Sequence, residues 1–242
     1  MLSKNETKYI QSLYQKKQRD ALNLFIVEGV KGVQELLDSD FTVQKIVATN
    51  DWEHPLMQQL PIQRVTEDQL QQVSGLQKAH QVLAIAEQKP VLAQPPAKGA
   101  ITLVLDDIQD PGNMGTLIRI ADWFGIKQII ASEHSVELYN PKVIQSTMGS
   151  FLRVQVGYGS LEALLSQSPV PIYGALLEGS SIYKAPSINE GVLIIGNESK
   201  GIHASLKPLI NQPVSIPRVG GAESLNAAVA AGIILSHLMP KG

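Results

Sequence analysis

The chain has 242 residues, of which 44% are apolar and 17% charged, with a formal net charge of −2. That balance suits one large or two modest folded domains and excludes disorder as the dominant state. No apolar run approaches the roughly 18 residues that span a bilayer, and the opening MLSKNETKYIQ lacks a signal peptide's apolar core, so the expectation is a cytoplasmic protein with no membrane segment. With 0 Cys there is no disulfide, thiolate nucleophile or cysteine zinc site, and the 5 His (His54, His80, His134, His203, His237) are spaced too widely for ligand pairs. No metal is expected, and a nucleic-acid partner would need a local basic patch.

In chain order, a polar helix is followed by a strand at 24–27, a helix at 30–37, and strands at 43–48 and 82–86, a small α/β domain over 1–87. Residues 88–99, QKPVLAQPPAKG, read as an extended linker rich in proline. Over 100–242 the strands are near-continuous apolar runs at 101–105, 128–130, 152–156, 171–177, 192–195 and 214–216. Strands apolar on both faces belong in a parallel sheet covered by helices, here expected at 114–124, 141–147, 161–165 and 225–238.

Three stretches carry chemistry. In DDIQDPGNMGTLIRIADWFGI (106–126) a strand ends in acidic residues, turns, and enters a helix for which Asn113 is the expected N-cap. Leu117, Ile120, Ala121 and Phe124 form the expected buried stripe, and Arg119 stands off it. Arg119 is either a fixed cation near the carboxyl ends of the strands or a surface partner of Asp122. In VLIIGNESKGI (192–202) a buried strand runs into a turn able to present backbone N–H groups, without the Gly-Lys-Ser order of a phosphate loop. In VSIPRVGGAESLNAAVAAGIILSHL (214–238) Ser224 can cap a helix apolar almost all round. Asn226, just inside that helix, would cost roughly 1–3 kcal/mol to bury without a specific partner. Capping alone is the plainer reading of Ser224 and Asn226. No Gly-x-Gly-x-x-Gly or Gly-x-Ser-x-Gly signature is present, which leaves dinucleotide and serine-hydrolase sites unsupported.

Taken in order, PGNMGTLIRIADWFG, IIGNESKGI and IPRVGGAESLNAAVAAGIIL closely resemble the three motifs of the SpoU (TrmH) branch of the SPOUT methyltransferases. The stretch NLFIVEGVKGVQELL resembles the ribosomal-protein-like substrate-binding domain that often precedes them. The resemblance implies an S-adenosylmethionine-dependent ribose 2′-O-methyltransferase acting on RNA, ribosomal RNA before transfer RNA. It implies a carboxy-terminal parallel sheet with helices on both faces and a deep trefoil knot. By motif it assigns catalysis to Arg119, Asn113, Glu198, Ser224 and Asn226, and cofactor binding to Leu176, Gly196, Asn197, Ile216 and Leu225. Asn113 would position Arg119 or a substrate phosphate, and Glu198 would hold the arginine or the ribose. The resemblance gives Arg119 as either the base or the group that orients and stabilises the developing oxyanion, and the second is favoured, since a guanidinium keeps its proton at ordinary pH. The family's pairing of knot helices implies a homodimer.

For RNA grip, the first 31 residues hold six cations (Lys4, Lys8, Lys16, Lys17, Arg19, Lys31) against three anions (Glu6, Asp20, Glu28). Lys16, Lys17 and Arg19, with Arg153 nearer the active site, are the expected contacts. The competing reading is a non-catalytic RNA-binding or ribosome-associated factor that keeps the fold, against which the joint presence of five polar site residues argues.

Overall fold

The structure, a computed structural model, describes residues 1–239. It divides into two units, 1–90 with 137–152, and 91–136 with 153–242. The segment 137–152, assigned from sequence to the second domain, thus groups with the first.

In the first unit, α1 (Lys4–Ser12) opens on a capping box in which Ser3 and Glu6 satisfy each other's backbone N–H groups, and α2 (Lys16–Leu22) ends on Asn23 in the left-handed region. There follow β1 (Leu24–Glu28), α3 (Val30–Leu37), β2 (Val43–Ala48), β3 (Ile62–Arg64), α4 (Glu67–Val73) and β4 (Val82–Glu87). The sheet order is β1-β4-β2-β3, with β4 antiparallel to both neighbours and β3 parallel to β2. The sequence reading lacked β3 and α4. Each is short and polar, although the capping box of Thr66 and Gln69 was a usable start signal for α4.

Arg19 corrects one expectation. It is 1% exposed, donates to the Leu13 carbonyl at 2.9 Å and pairs with Glu137 inside this unit. A guanidinium so placed holds the fold together and cannot meet RNA phosphates. Lys16 keeps 63% of its side chain exposed while bonding Asp20 at 2.6 Å and lying 3.5 Å from Glu137, and Lys17 is exposed. Phe25 packs with Phe41, Tyr139 and Phe151 at centroid separations of 4.7–5.8 Å, so the segment 137–152 contributes two of the four rings of this cluster.

The second unit opens with β5 (Ile101–Leu105), α5 (Pro111–Trp123) and β6 (Gln128–Ala131); the chain then passes through α6 (Pro141–Thr147) of the first unit. It returns with β7 (Gln155–Tyr158), α7 (Leu161–Leu165), β8 (Ile172–Ser181), β9 (Gly191–Ile195), β10 (Gln212–Ser215) and α8 (Ala227–Leu238). All six strands are parallel, in the order β10-β8-β9-β5-β6-β7. The central β5 and β9 are buried at every residue, as their apolar runs require. The strand expected at 152–156 is displaced. Residues 150–152 form a 3-10 turn that buries Phe151, and pairing with β6 begins only at Gln155. Residues 91–93 of the expected linker dock along β7, with Tyr158 N–H donating to the Val91 carbonyl at 2.7 Å. Gly157 is required there, because a Cβ would strike the Ala93 backbone. No helix among the described residues is long and apolar enough to cross a membrane.

Candidate active site

Neither helix that frames the site starts at the expected cap: α5 is capped three residues before Asn113, and α8 two residues after Ser224. Proline's fixed φ suits the first helical position, so α5 starts at Pro111 and the residue before it is the cap. Asp110 Oδ1 accepts the Asn113 N–H at 2.8 Å, which places Asn113 in the first turn rather than at the cap. The buried stripe of α5 is Met114, Leu117, Ile118 and Ala121, while Ile120 and Phe124 are only half-buried. At α8 the cap is Asn226, whose Oδ1 accepts the Ala228 and Val229 N–H groups at 3.0 and 3.2 Å. Asn226 is exposed, so the burial cost anticipated for it does not arise. Ser224 lies in the exposed loop before it.

These starts generate a directed chain of hydrogen bonds. Asn226 Nδ2 donates to Asn113 Oδ1 at 2.8 Å, and Asn113 Nδ2 donates to the Glu198 carboxylate. A carboxylate only accepts and a helix N-terminus only donates, so each amide between them has a single workable orientation. Residues 113, 198 and 226, from three motifs, are thus locked together. Asn113 grips Glu198 rather than Arg119.

The loop bearing Glu198 is itself tied down. Asn197 Oδ1 accepts the Ser199 and Lys200 N–H groups at 2.9 and 3.1 Å, and its Nδ2 donates to the Asp107 carbonyl at 2.8 Å. Lys200 Nζ meets Asp107 Oδ2 at 3.0 Å. Burial pushes the Asp107 carboxyl up, but hydrogen bonds from Lys200 and Gln109 outweigh it and hold the group below the usual range. Neighbouring Asp106 is buried, which raises its carboxyl against the opposing bond from the His203 N–H at 2.6 Å. Gly196 allows the loop to close on itself: a Cβ there would strike the backbone of Gly201 and Ile202. Asp107 and Lys200 went unrecognised in the sequence, where nothing in a charged pair 93 residues apart marks it as joined.

Arg119 is exposed and has no hydrogen bond or ion pair among the described residues. Its alternative partner Asp122 is held by Arg153 through Nε at 2.9 Å and Nη2 at 2.8 Å, which removes the surface-pair reading. Arg153 keeps 46% of its side chain exposed.

Of the expected cofactor residues, four lie on or just after three adjacent strands, and Leu225 lies in the loop before α8. Leu176 lies in β8, Gly196 and Asn197 follow β9, and Ile216 follows β10. Gly174 pairs with Ile194, and that register carries Leu176 to the level of Gly196. Leu177 is 75% exposed, Val219 101% and Leu225 45%. The main chain of 217–225 makes no hydrogen bond to other main chain among the described residues, and only its Ala222 carbonyl is taken by a side chain, Arg218 Nη1 at 3.2 Å. Uncommitted backbone groups beside exposed apolar side chains suit a ligand with a flat purine and an alkyl chain.

Residues 100–236 match the SpoU rRNA Methylase family, and residues 4–84 match the MRM3-like substrate binding domain. The chain belongs to the SpoU rRNA methylase family. The SpoU match runs from just before β5 into α8 and contains all ten expected catalytic and cofactor positions. Over 235 residues the chain is 32% identical to the 23S rRNA (guanosine(2553)-2′-O)-methyltransferase RlmP of Bacillus subtilis, covering 93% of this chain and 92% of that one. An AdoMet-bound rRNA methyltransferase from Sinorhizobium meliloti superposes with a TM-score of 0.87 at 28% identity, covering 98% and 95% of the two chains. The SpoU methyltransferase AviRb from Streptomyces viridochromogenes, solved with AdoMet, shares the fold at a TM-score of 0.84 and 23% identity, covering 98% and 97%.

Proposed function

We propose that this SpoU family member methylates a ribose 2′-hydroxyl of ribosomal RNA with S-adenosylmethionine as donor. The observation that carries the reading is the hydrogen-bond chain from the α8 N-terminus through Asn226 and Asn113 to Glu198, with Arg119 left uncommitted on the same helix as Asn113. A non-catalytic scaffold has no packing need for it. The bound cofactor supplies a sulfonium methyl group. Leu176, Gly196, Asn197, Ile216 and Leu225 hold it through main-chain groups and apolar contact. The Arg119 guanidinium orients the 2′-oxygen and stabilises the charge that grows on it as the new C–O bond forms, the C–S bond breaks and the hydroxyl proton passes to solvent. Glu198 and Asn113 hold the pocket wall rigid while this happens, and the 4–84 domain grips the RNA outside the site.

Two features belong to the same proposal. A groove of about 390 Å³ between α5 and α8, lined by Thr116, Ile120, Val229 and Ile233, leaves apolar surface uncovered and suits a second copy of the chain. Sedimentation that finds only monomer at micromolar concentration removes the dimer. The order β8-β9-β5, in which β9 returns between two strands already placed, suits the threading of a deep knot. A cytoplasmic location accompanies an RNA substrate.

Titration calorimetry with S-adenosylmethionine and with its demethylated product tests the cofactor site. The wild-type chain binds both. Leu225→Lys, in an exposed loop, weakens binding about tenfold without moving the melting temperature, because it replaces apolar contact with a second cation beside the sulfonium. Unchanged affinity in that variant removes residues 217–225 from the site.

A further inference from the structure

The chain has two tryptophans with opposite surroundings. Trp52 is 1% exposed and stacks on His54 with ring centroids 5.8 Å apart. Trp123, the last residue of α5, is 86% exposed, and no ring or cation covers it among the described residues. The opposite face of the helix is anchored by Leu117, Ile118 and Ala121, all at 0% exposure, so the indole is presented from a rigid support. An apolar ring of this size left in water on a fixed element marks a binding surface more often than a packing accident.

Its position narrows the partner. Trp123 follows Arg119 by four residues, about 6 Å along the helix and about 40° around it. Lys127 is exposed shortly after it, and the carboxylate next to the indole in sequence, Asp122, is already paired with Arg153. Charged neighbours disfavour the core of a contact between protein copies, where charge is depleted. They suit a nucleic-acid strand, whose bases stack on aromatic rings while cations meet its phosphates.

We propose that Trp123 is a stacking platform for an unpaired base of the RNA substrate, next to the nucleotide whose ribose Arg119 engages. The inference rests on the RNA ribose methylation reading. Stacking on one ring requires no particular base, so the platform sets the position of the strand rather than its sequence. It also requires the target nucleotide to lie in a loop or opened strand, because bases inside a duplex have no free face.

Steady-state methylation of a 23S ribosomal RNA fragment tests it. Trp123→Ala raises KM for RNA roughly tenfold or more and leaves kcat within about twofold, whereas Trp123→Phe recovers most of the loss. In the wild-type protein the same fragment quenches the solvent-exposed tryptophan emission and shields it from iodide, a signal that Trp123→Phe removes while the Trp52 emission stays. Unchanged KM in Trp123→Ala beside an active wild type overturns this inference alone. Loss of self-association in sedimentation of Trp123→Ala also overturns it, by making the ring a contact between copies. A wild type that neither binds nor methylates RNA takes down the inference together with the function reading.

Discussion

Replacing Arg119 by alanine lowers kcat by roughly 10²- to 10³-fold, the range seen when a single donor to a developing oxyanion is removed. The melting temperature stays in place, because the side chain is exposed and bonded to nothing among the described residues. Cofactor affinity also stays, since the expected cofactor residues lie within β8, just after β9 and β10, and in the loop before α8. Arg119→Lys recovers little of the rate. An ammonium restores the charge but not the planar fork of donors that fixes an oxygen in one direction. Single-turnover kinetics at saturating RNA and cofactor read the effect on the chemical step. A lysine variant with most of the wild-type rate means that charge alone suffices, and the assignment of Arg119 as an orienting donor fails.

The largest stability effect belongs to the carboxylate that neutralises the buried Arg19. Glu137→Gln leaves the Arg19 guanidinium 1% exposed and facing a neutral amide, with Arg19 Nε already buried and without a partner. Breaking a buried pair from one side costs about 3–5 kcal/mol. The Glu137 side chain is 22% exposed and shared with Lys16, so about 3 kcal/mol is expected, a fall of roughly 6–12 °C in melting temperature for a chain of this size. A double change of Arg19→Met with Glu137→Leu regains much of that loss, because an apolar pair has no charge to desolvate. Calorimetric unfolding of the three proteins decides the matter. If Glu137→Gln melts as the wild type does and instead alters RNA affinity, Arg19 belongs to the RNA surface after all.

What the sequence disclosed and what it hid follow from the range of the interactions. The apolar runs of β5 and β9 identify buried parallel strands because every residue along them must meet an apolar neighbour. The start of α5 was legible in Asp110-Pro111, since proline at the first helical position names the residue before it as cap; the choice of Asn113 overlooked that rule. The three motifs name candidate residues for the site but not the bonds between them. Asn113 and Asn226 lie 113 positions apart, and nothing local requires one amide to face the other. The burial of Arg19 was hidden for the same reason, because its neutralising carboxylate arrives 118 residues later. Clustered cations within 31 residues look like a surface patch until the acids that meet them are known.

The central claim is the transfer of a methyl group to a ribose oxygen, and one property of the product tests it directly. A phosphodiester next to a methylated 2′-oxygen cannot be cleaved by alkali, because the attacking hydroxyl is gone. The purified chain is incubated with unmodified 23S ribosomal RNA and S-adenosylmethionine labelled in the methyl group, and the RNA is then hydrolysed to completion in alkali. The account predicts label in alkali-resistant dinucleotides for the wild type and a loss of roughly 10²-fold or more in that label for Arg119→Ala at early times. Label recovered in mononucleotides, on a base, or absent from the RNA altogether contradicts it.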